Sequence, residues 1–281
     1  MEVLVAKHAG FCVGVERAYK IALQDTGEKP VYMLGNLVHN KQVVARLQKQ
    51  GIKSVRSLSE IPLNSGGTLL ISAHGVPPAI YQEAREKGLK IVDTTCPWVK
   101  KAQKIAAELA DRGCRVVIVG DKGHAEVKGL LGWSAGQGTV VESPADLDRL
   151  SAKESCLGVI AQTTQSEERF LSIAKALSDK FGKTEVHNTI CGATSQRQGA
   201  AIELAKQVDL MLVIGDKMSA NTNRLTELCA KTGTKTYQIE TAAELDPSWL
   251  TGKEKIGVTA GASTPEWVTG EVISRLHSIM L

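Results

Sequence analysis

Val116-Val117-Ile118-Val119-Gly120 is an unbroken apolar run that stops at a glycine, four residues ahead of His124. A short β-branched run with no polar alternation fits a strand buried on both faces, the usual state of strands in parallel sheets flanked by helices. Upstream lies an amphipathic stretch of helical period from Val99 to Leu109, opened by Cys96. The order cysteine, helix, strand, glycine, polar residue is one unit of an alternating α/β chain.

The same order occurs twice more. Cys12 opens a helical stretch (Val15 to Leu23), followed by a strand (Val31 to Leu34), Gly35 and His39. Cys191 is followed by a helix (Ala200 to Ala205), a strand (Leu210 to Ile214), Gly215 and Ser219. The interval is 27 residues from Cys12 to His39, 28 from Cys96 to His124 and 28 from Cys191 to Ser219. Each copy then offers a second apolar strand ending in a polar turn: Ile71-Ser72-Ala73-His74-Gly75, Ile160-Ala161-Gln162-Thr163-Thr164 and Thr259-Ala260-Gly261-Ala262-Ser263-Thr264. Internal repeats mean repeated structure, and open parallel sheets bind ligands beyond the carboxyl ends of their strands. The expected fold is therefore α/β, with three similar units of parallel sheet arranged pseudo-threefold so that the repeated cysteines and polar turns reach one central cavity. Their expected boundaries are 13–96, 97–191, and 192–281 joined by 1–12.

Composition narrows the class. Of 281 residues, 43% are hydrophobic and 23% charged, the balance of a folded globular protein. The net charge of +4 is spread among interspersed signs, which argues for no nucleic-acid partner. No apolar stretch approaches the roughly 18 residues of a membrane span, so no membrane partner is expected. Met1 to Ala6 reads as a strand rather than a leader, and the expected location is cytoplasmic. Six cysteines are too sparse for a disulfide framework. Cys114 and Cys156 at strand entrances and Cys229 in a helical run read as small buried hydrophobes.

Cys12, Cys96 and Cys191 lie 84 and 95 residues apart, whereas zinc knuckles use close pairs. Three convergent soft thiolates suit an iron-sulfur cluster with one iron left open. A helix start beside each cysteine favours the thiolate. His39, His74 and His124, with Ser219, Asn221, Ser263 and Thr264, form a donor-rich set on loops before helices, where phosphates bind. Glu126 sits two residues after His124 and supplies an acid for a leaving group. Thr163 and Thr164 are uncharged hydroxyl donors for the leaving group or a water. His8, His187 and His277 have no repeat partner.

These motifs, taken in order, resemble the hydroxymethylbutenyl diphosphate reductase family. The stretches that carry the likeness are Gly10-Phe11-Cys12-Val13-Gly14-Val15, Val38-His39-Asn40, Ala73-His74-Gly75-Val76, Asp93-Thr94-Thr95-Cys96-Pro97, Gly123-His124 with Glu126, Gln162-Thr163-Thr164, Thr189-Ile190-Cys191, Ser219 with Asn221, and Ala262-Ser263-Thr264-Pro265. The resemblance implies a three-domain trefoil with a 4Fe-4S cluster on Cys12, Cys96 and Cys191. It implies diphosphate binding by His39, His74, His124, Ser219, Asn221 and Ser263, and proton relay by Glu126 and Thr163. The implied reaction is reductive loss of an allylic hydroxyl to give isopentenyl or dimethylallyl diphosphate, with ferredoxin or flavodoxin as electron donor. Two positions depart from the family pattern: His8-Ala9 stands where many members have Pro-Arg, and Ala220 where many have a second serine. A quinolinate synthase-like dehydratase and a non-catalytic iron-sulfur sensor are the alternatives; the first needs dicarboxylate partners, the second gives Glu126 no task.

Overall fold

The computed structural model describes residues 1–24, 30–150 and 156–279. The chain begins β1 (Glu2–Val5), α1 (Val13–Gln24), β2 (Val31–Leu34), α2 (Lys41–Lys49), β3 (Lys53–Val55), β4 (Thr68–Ile71), α3 (Pro78–Glu86) and β5 (Lys90–Asp93). Its middle runs α4 (Pro97–Asp111), β6 (Arg115–Val119), α5 (Ala125–Trp133), β7 (Gly138–Val141), β8 (Leu157–Ala161), α6 (Glu167–Phe181) and β9 (Thr184–Val186). It ends α7 (Gly192–Ala205), β10 (Leu210–Ile214), α8 (Ala220–Lys231), β11 (Lys235–Ile239), β12 (Lys255–Ala260) and α9 (Glu266–Ile279).

The strands form three four-stranded sheets, ordered β3-β2-β4-β5, β7-β6-β8-β9 and β1-β12-β10-β11. Every pairing is parallel. Each sheet repeats one order, 2-1-3-4, and in the third the fourth strand is β1 from the start of the chain. The strand that leads into each repeated cysteine is this outer one: β5 before Cys96, β9 before Cys191 and β1 before Cys12.

By contact density the chain divides into two compact units, one of residues 1–16, 39–43 and 192–281, the other of 17–38 and 44–191. The first holds the β1-β12-β10-β11 sheet. One face packs Leu212, Ile214 and Val258 against Val268, Val272 and Leu276 of α9. The other packs Met211 and Val213 against Ala201 and Ala205 of α7 and Leu225 of α8.

The second unit holds the other two sheets. Alternate residues of β6 serve opposite faces: Val117 and Val119 meet Phe170 and Ile173 of α6, while Val116 and Ile118 meet Ala102, Ala106 and Leu130. Covering both faces is what makes the strand apolar throughout.

Two expectations need correction. Cys114 and Cys156 are joined by a disulfide, with Cα atoms 4.6 Å apart. The cause is register: Arg115 pairs with Leu157, so the residues before them face one another. Helix α7 begins at Gly192 rather than near Ala200, because its first half buries Thr194, Arg197 and Gln198, and polar residues conceal the period. Cys229 is a buried hydrophobe as expected, and burial pushes its thiol up to about 12.

Candidate active site

The three repeated cysteines lie outside any disulfide and are partly exposed. Their backbones are held alike. Cys12 N–H donates to Ala262 O at 3.2 Å, Cys96 N–H to Ala73 O at 3.0 Å and Cys191 N–H to Thr163 O at 3.0 Å. Each acceptor lies just past the strand beside the cysteine's own strand, in the polar turn of its repeat. The repeated sequence spacing is thus matched by one backbone bond made three times.

The segment before each cysteine shows how the turn is built. Asp93 Oδ1 accepts from Thr95 N at 2.9 Å, and Asn188 Oδ1 accepts from Ile190 N at 3.0 Å. Both are Asx turns, which these side chains favour. The next residue binds the neighbouring strand: Thr94 Oγ1 donates to Ile71 O at 2.5 Å, and Thr189 Oγ1 to Ala161 O at 2.5 Å. Thr189 Oγ1 also accepts from Ala161 N at 2.8 Å. The sequence motifs include both threonines but assign them no role, although the repeated pattern Asp/Asn-Thr-x-Cys marks them out. The third copy has no threonine here. Gly10, at φ 92, donates to Ala260 O at 3.3 Å and accepts from Nη2 of the buried Arg197 at 2.8 Å.

Within the second unit the β6 and β8 turns meet. Glu126 is 1% exposed; Thr163 N–H reaches its Oε1 at 2.6 Å and Thr163 Oγ1 its Oε2 at 2.8 Å. Burial drives this carboxyl up to about 7, against the two Thr163 bonds that favour its charged form. His124 caps α5, its Nδ1 accepting from Glu126 N at 3.2 Å. Its ring meets that of His74 edge-on, centroids 5.3 Å apart. Thr164 Oγ1 accepts from Gln162 Nε2 at 2.9 Å. Gly75, at φ 72, leaves room for Gln103: a Cβ there would lie 2.3 Å from Gln103 Nε2.

The first unit brings together His39, Ser219 and Ser263. Ser263 Oγ donates to His39 O at 2.9 Å and lies 3.4 Å from Ser219 Oγ. Ser219 caps α8 by accepting from Thr222 N at 3.3 Å. Burial lowers the His39 pKa, against the pull of Asp216. The Asn221 amide is buried, and neither its Oδ1 nor its Nδ2 has a hydrogen-bond partner among the described residues. Asp216, missed by the sequence reading, accepts from Lys41 N at 3.0 Å and from Met218 N at 2.7 Å, so it fixes the start of α2 beside the β10 turn. The signal was a glycine followed by Asn or Asp in all three copies: Gly35-Asn36, Gly120-Asp121 and Gly215-Asp216. At the two departures, His8 takes a left-handed φ of 63 and Ala220 is the first residue of α8.

Comparison with known proteins places this geometry in context. The sequence model of the LytB protein family matches residues 3–277. A protein of Geobacter sp. (strain M21) named 4-hydroxy-3-methylbut-2-enyl diphosphate reductase is 46% identical over 281 residues, covering 99% of this chain and 98% of the relative. A namesake from Clostridioides difficile (strain 630) is 42% identical over 284 residues, covering 99% of this chain and all of the relative, 100%. Among solved structures, the E-1-hydroxy-2-methyl-but-2-enyl-4-diphosphate reductase of Plasmodium falciparum matches with a TM-score of 0.92 at 30% identity, covering 97% of this chain and 86% of that one. A second, (E)-4-hydroxy-3-methyl-but-2-enyl diphosphate reductase, described as the terminal enzyme of the non-mevalonate pathway, matches with a TM-score of 0.71 at 40% identity, covering 99% and 100%.

Proposed function

This chain belongs to the LytB protein family, and from that premise we propose that it reduces 4-hydroxy-3-methylbut-2-enyl diphosphate to isopentenyl and dimethylallyl diphosphate, the terminal step of the non-mevalonate pathway. The balance is two electrons and two protons taken up, one C–O bond broken and one water released. The quinolinate synthase-like and sensor readings lose their ground with the family assignment.

The donor chemistry fits a 4Fe-4S cluster on Cys12, Cys96 and Cys191: three soft thiols outside any disulfide, with equivalent backbone bonds, each immediately ahead of a helix. When bound, such a cluster supplies the electrons and a Lewis-acidic position for the substrate oxygen. The diphosphate is assigned to His39, His74, His124, Ser219, Asn221 and Ser263, with Thr164 as a further hydroxyl. The unpartnered Asn221 amide supports its place in that set, since a buried polar group without a partner is costly.

The observation that carries the mechanism is the Glu126–Thr163 pair. A carboxyl raised to about 7 keeps a proton near neutrality, the condition for a general acid. Between Oε2 and Thr163 Oγ1, 2.8 Å apart, either oxygen can carry that proton. It moves from Glu126 through the Thr163 hydroxyl to the departing substrate oxygen, which leaves as water, and bulk solvent reloads the carboxyl. A small reduced carrier of the ferredoxin or flavodoxin kind supplies the electrons.

The test is anaerobic purification with iron and sulfide analysis, then turnover with dithionite as reductant. Bound iron and sulfide with formation of both diphosphate products is the expected result. A protein that cannot be reconstituted, or that makes neither product, overturns the assignment.

A further inference from the structure

The exposed face of helix α4 opens with cations and no acid. From Pro97 to Ala107 it bears Lys100, Lys101 and Lys104 and no acid, the first being Glu108. Cations are unfavourable in the first turn of a helix, an effect that fades beyond it. Asp93 offsets only part of this, pairing with Lys100 at 2.7 Å. Lys104 reaches Glu108 at 3.6 Å with both side chains mostly in water, a weak pairing. Lys101 has no ion-pair partner among the described residues.

On the same surface, three residues from Lys101 and hence its neighbour on the helix, Trp98 is 50% exposed. A half-exposed indole beside Lys101 and the weakly paired Lys104 combines two residue preferences of protein interfaces, an aromatic anchor and a steering charge. The pair sits two and five residues after Cys96.

We propose that the face of α4 formed by Trp98, Lys101 and Lys104 is the docking surface for a small acidic electron-carrier protein. The proposal rests on the function assigned above, which requires electrons from outside the chain. Two carriers are each oxidised by one electron for every C–O bond broken, matching the two electrons that leave the oxygen as water. The occupant is acidic because the face is cationic, and protein-borne because Trp98 offers an apolar contact that a small reductant does not use. Electron-transfer encounters need only a small interface, which a two-turn helix face can supply.

The decisive measurement is binding, which needs no turnover. The anaerobically prepared protein is titrated in a calorimeter with oxidised flavodoxin and, in a separate arm, with a 2Fe-2S ferredoxin, at low and at high salt. At least one carrier binds the parent, and the K101E/K104E double variant weakens that binding by about tenfold or more. W98A weakens it by about tenfold, and raised salt weakens the parent more than the double variant. With dithionite as reductant all three proteins turn over alike, whereas with the carrier the variants show a raised KM. Affinities within about twofold of the parent in both variants, or no binding of either carrier to the parent, overturn the proposal. A parent that binds a carrier but forms no product with dithionite overturns the assigned reaction and leaves the docking face supported.

Discussion

Glu126 is a carboxyl held where a charge is poorly tolerated, and its two oxygens answer to one residue, Thr163. Glu126→Gln preserves both contacts, since the amide oxygen accepts from Thr163 N–H and the amide nitrogen donates to Oγ1, but it has no proton to give. Turnover should fall by about a hundredfold to ten-thousandfold, with iron content and substrate affinity unchanged, as read by anaerobic steady-state assay and calorimetric titration. The same carboxyl sets a pH dependence. Its folded value of about 7 lies above the ordinary 4.5, so in that window the folded protein holds a proton the unfolded chain has released. Stability contributed by this group is complete below about 4.5 and is lost as pH rises through about 7, a change on the order of 3 kcal/mol. Denaturant unfolding at about pH 5 and about pH 8 should show that loss in the parent and a smaller one in Glu126→Gln. Turnover of the parent should decline above about pH 7 as the donor ionises, and the variant should lack this limb.

At the scale of elements, the turn that delivers each cysteine is a built object rather than a slack loop. Thr189→Val removes a hydroxyl that gives one bond to Ala161 O and takes one from Ala161 N, leaving a buried N–H unsatisfied. A loss of about 1 to 3 kcal/mol is expected in denaturant unfolding, together with weaker iron retention, while Val at the more exposed Thr184 should change neither. The strands around these turns were legible in the sequence because parallel sheets covered on both faces need unbroken apolar runs: the expected Val31 to Leu34 and Leu210 to Ile214 are the strands found. The spacing from cysteine to polar residue was legible for the same reason, since it counts one helix and one strand. The contact between Glu126 and Thr163 was not, as it spans 37 residues and depends on β6 and β8 being neighbours. Strand order escaped as well, because hydrophobic runs say that a strand is buried and not beside which other strand it lies. The first half of α7 stayed hidden behind its buried Thr194, Arg197 and Gln198.

Over the whole molecule one plan is used three times, with each sheet ordered 2-1-3-4 and the last completed by β1. The plan is not uniform in its covalent chemistry. Cys114 and Cys156 tie the entrances of β6 and β8 across 42 residues of sequence, and the turns that follow these two strands lead to Glu126 at the start of α5 and to Thr163. Closing a loop of that length restricts the unfolded chain by about 4 kcal/mol in the chain-entropy account. Adding dithiothreitol, or making Cys156→Ser, should therefore lower the unfolding midpoint of the second unit and leave the β1-β12-β10-β11 unit where it was, as resolved by peptide-level proteolysis. An unchanged midpoint would show that the bond adds nothing. The backbone bonds at Cys12, Cys96 and Cys191 have a different consequence. Each cysteine is held by its own sheet, through Ala262, Ala73 and Thr163, and so its position does not depend on what the sulfur carries. Small metal domains fold only around their ion, and chelators unfold them. Here loss of the proposed cluster should instead leave the fold in place and the site open to refilling with iron and sulfide, read as an unchanged circular dichroism spectrum after chelation and a restored iron content on reconstitution.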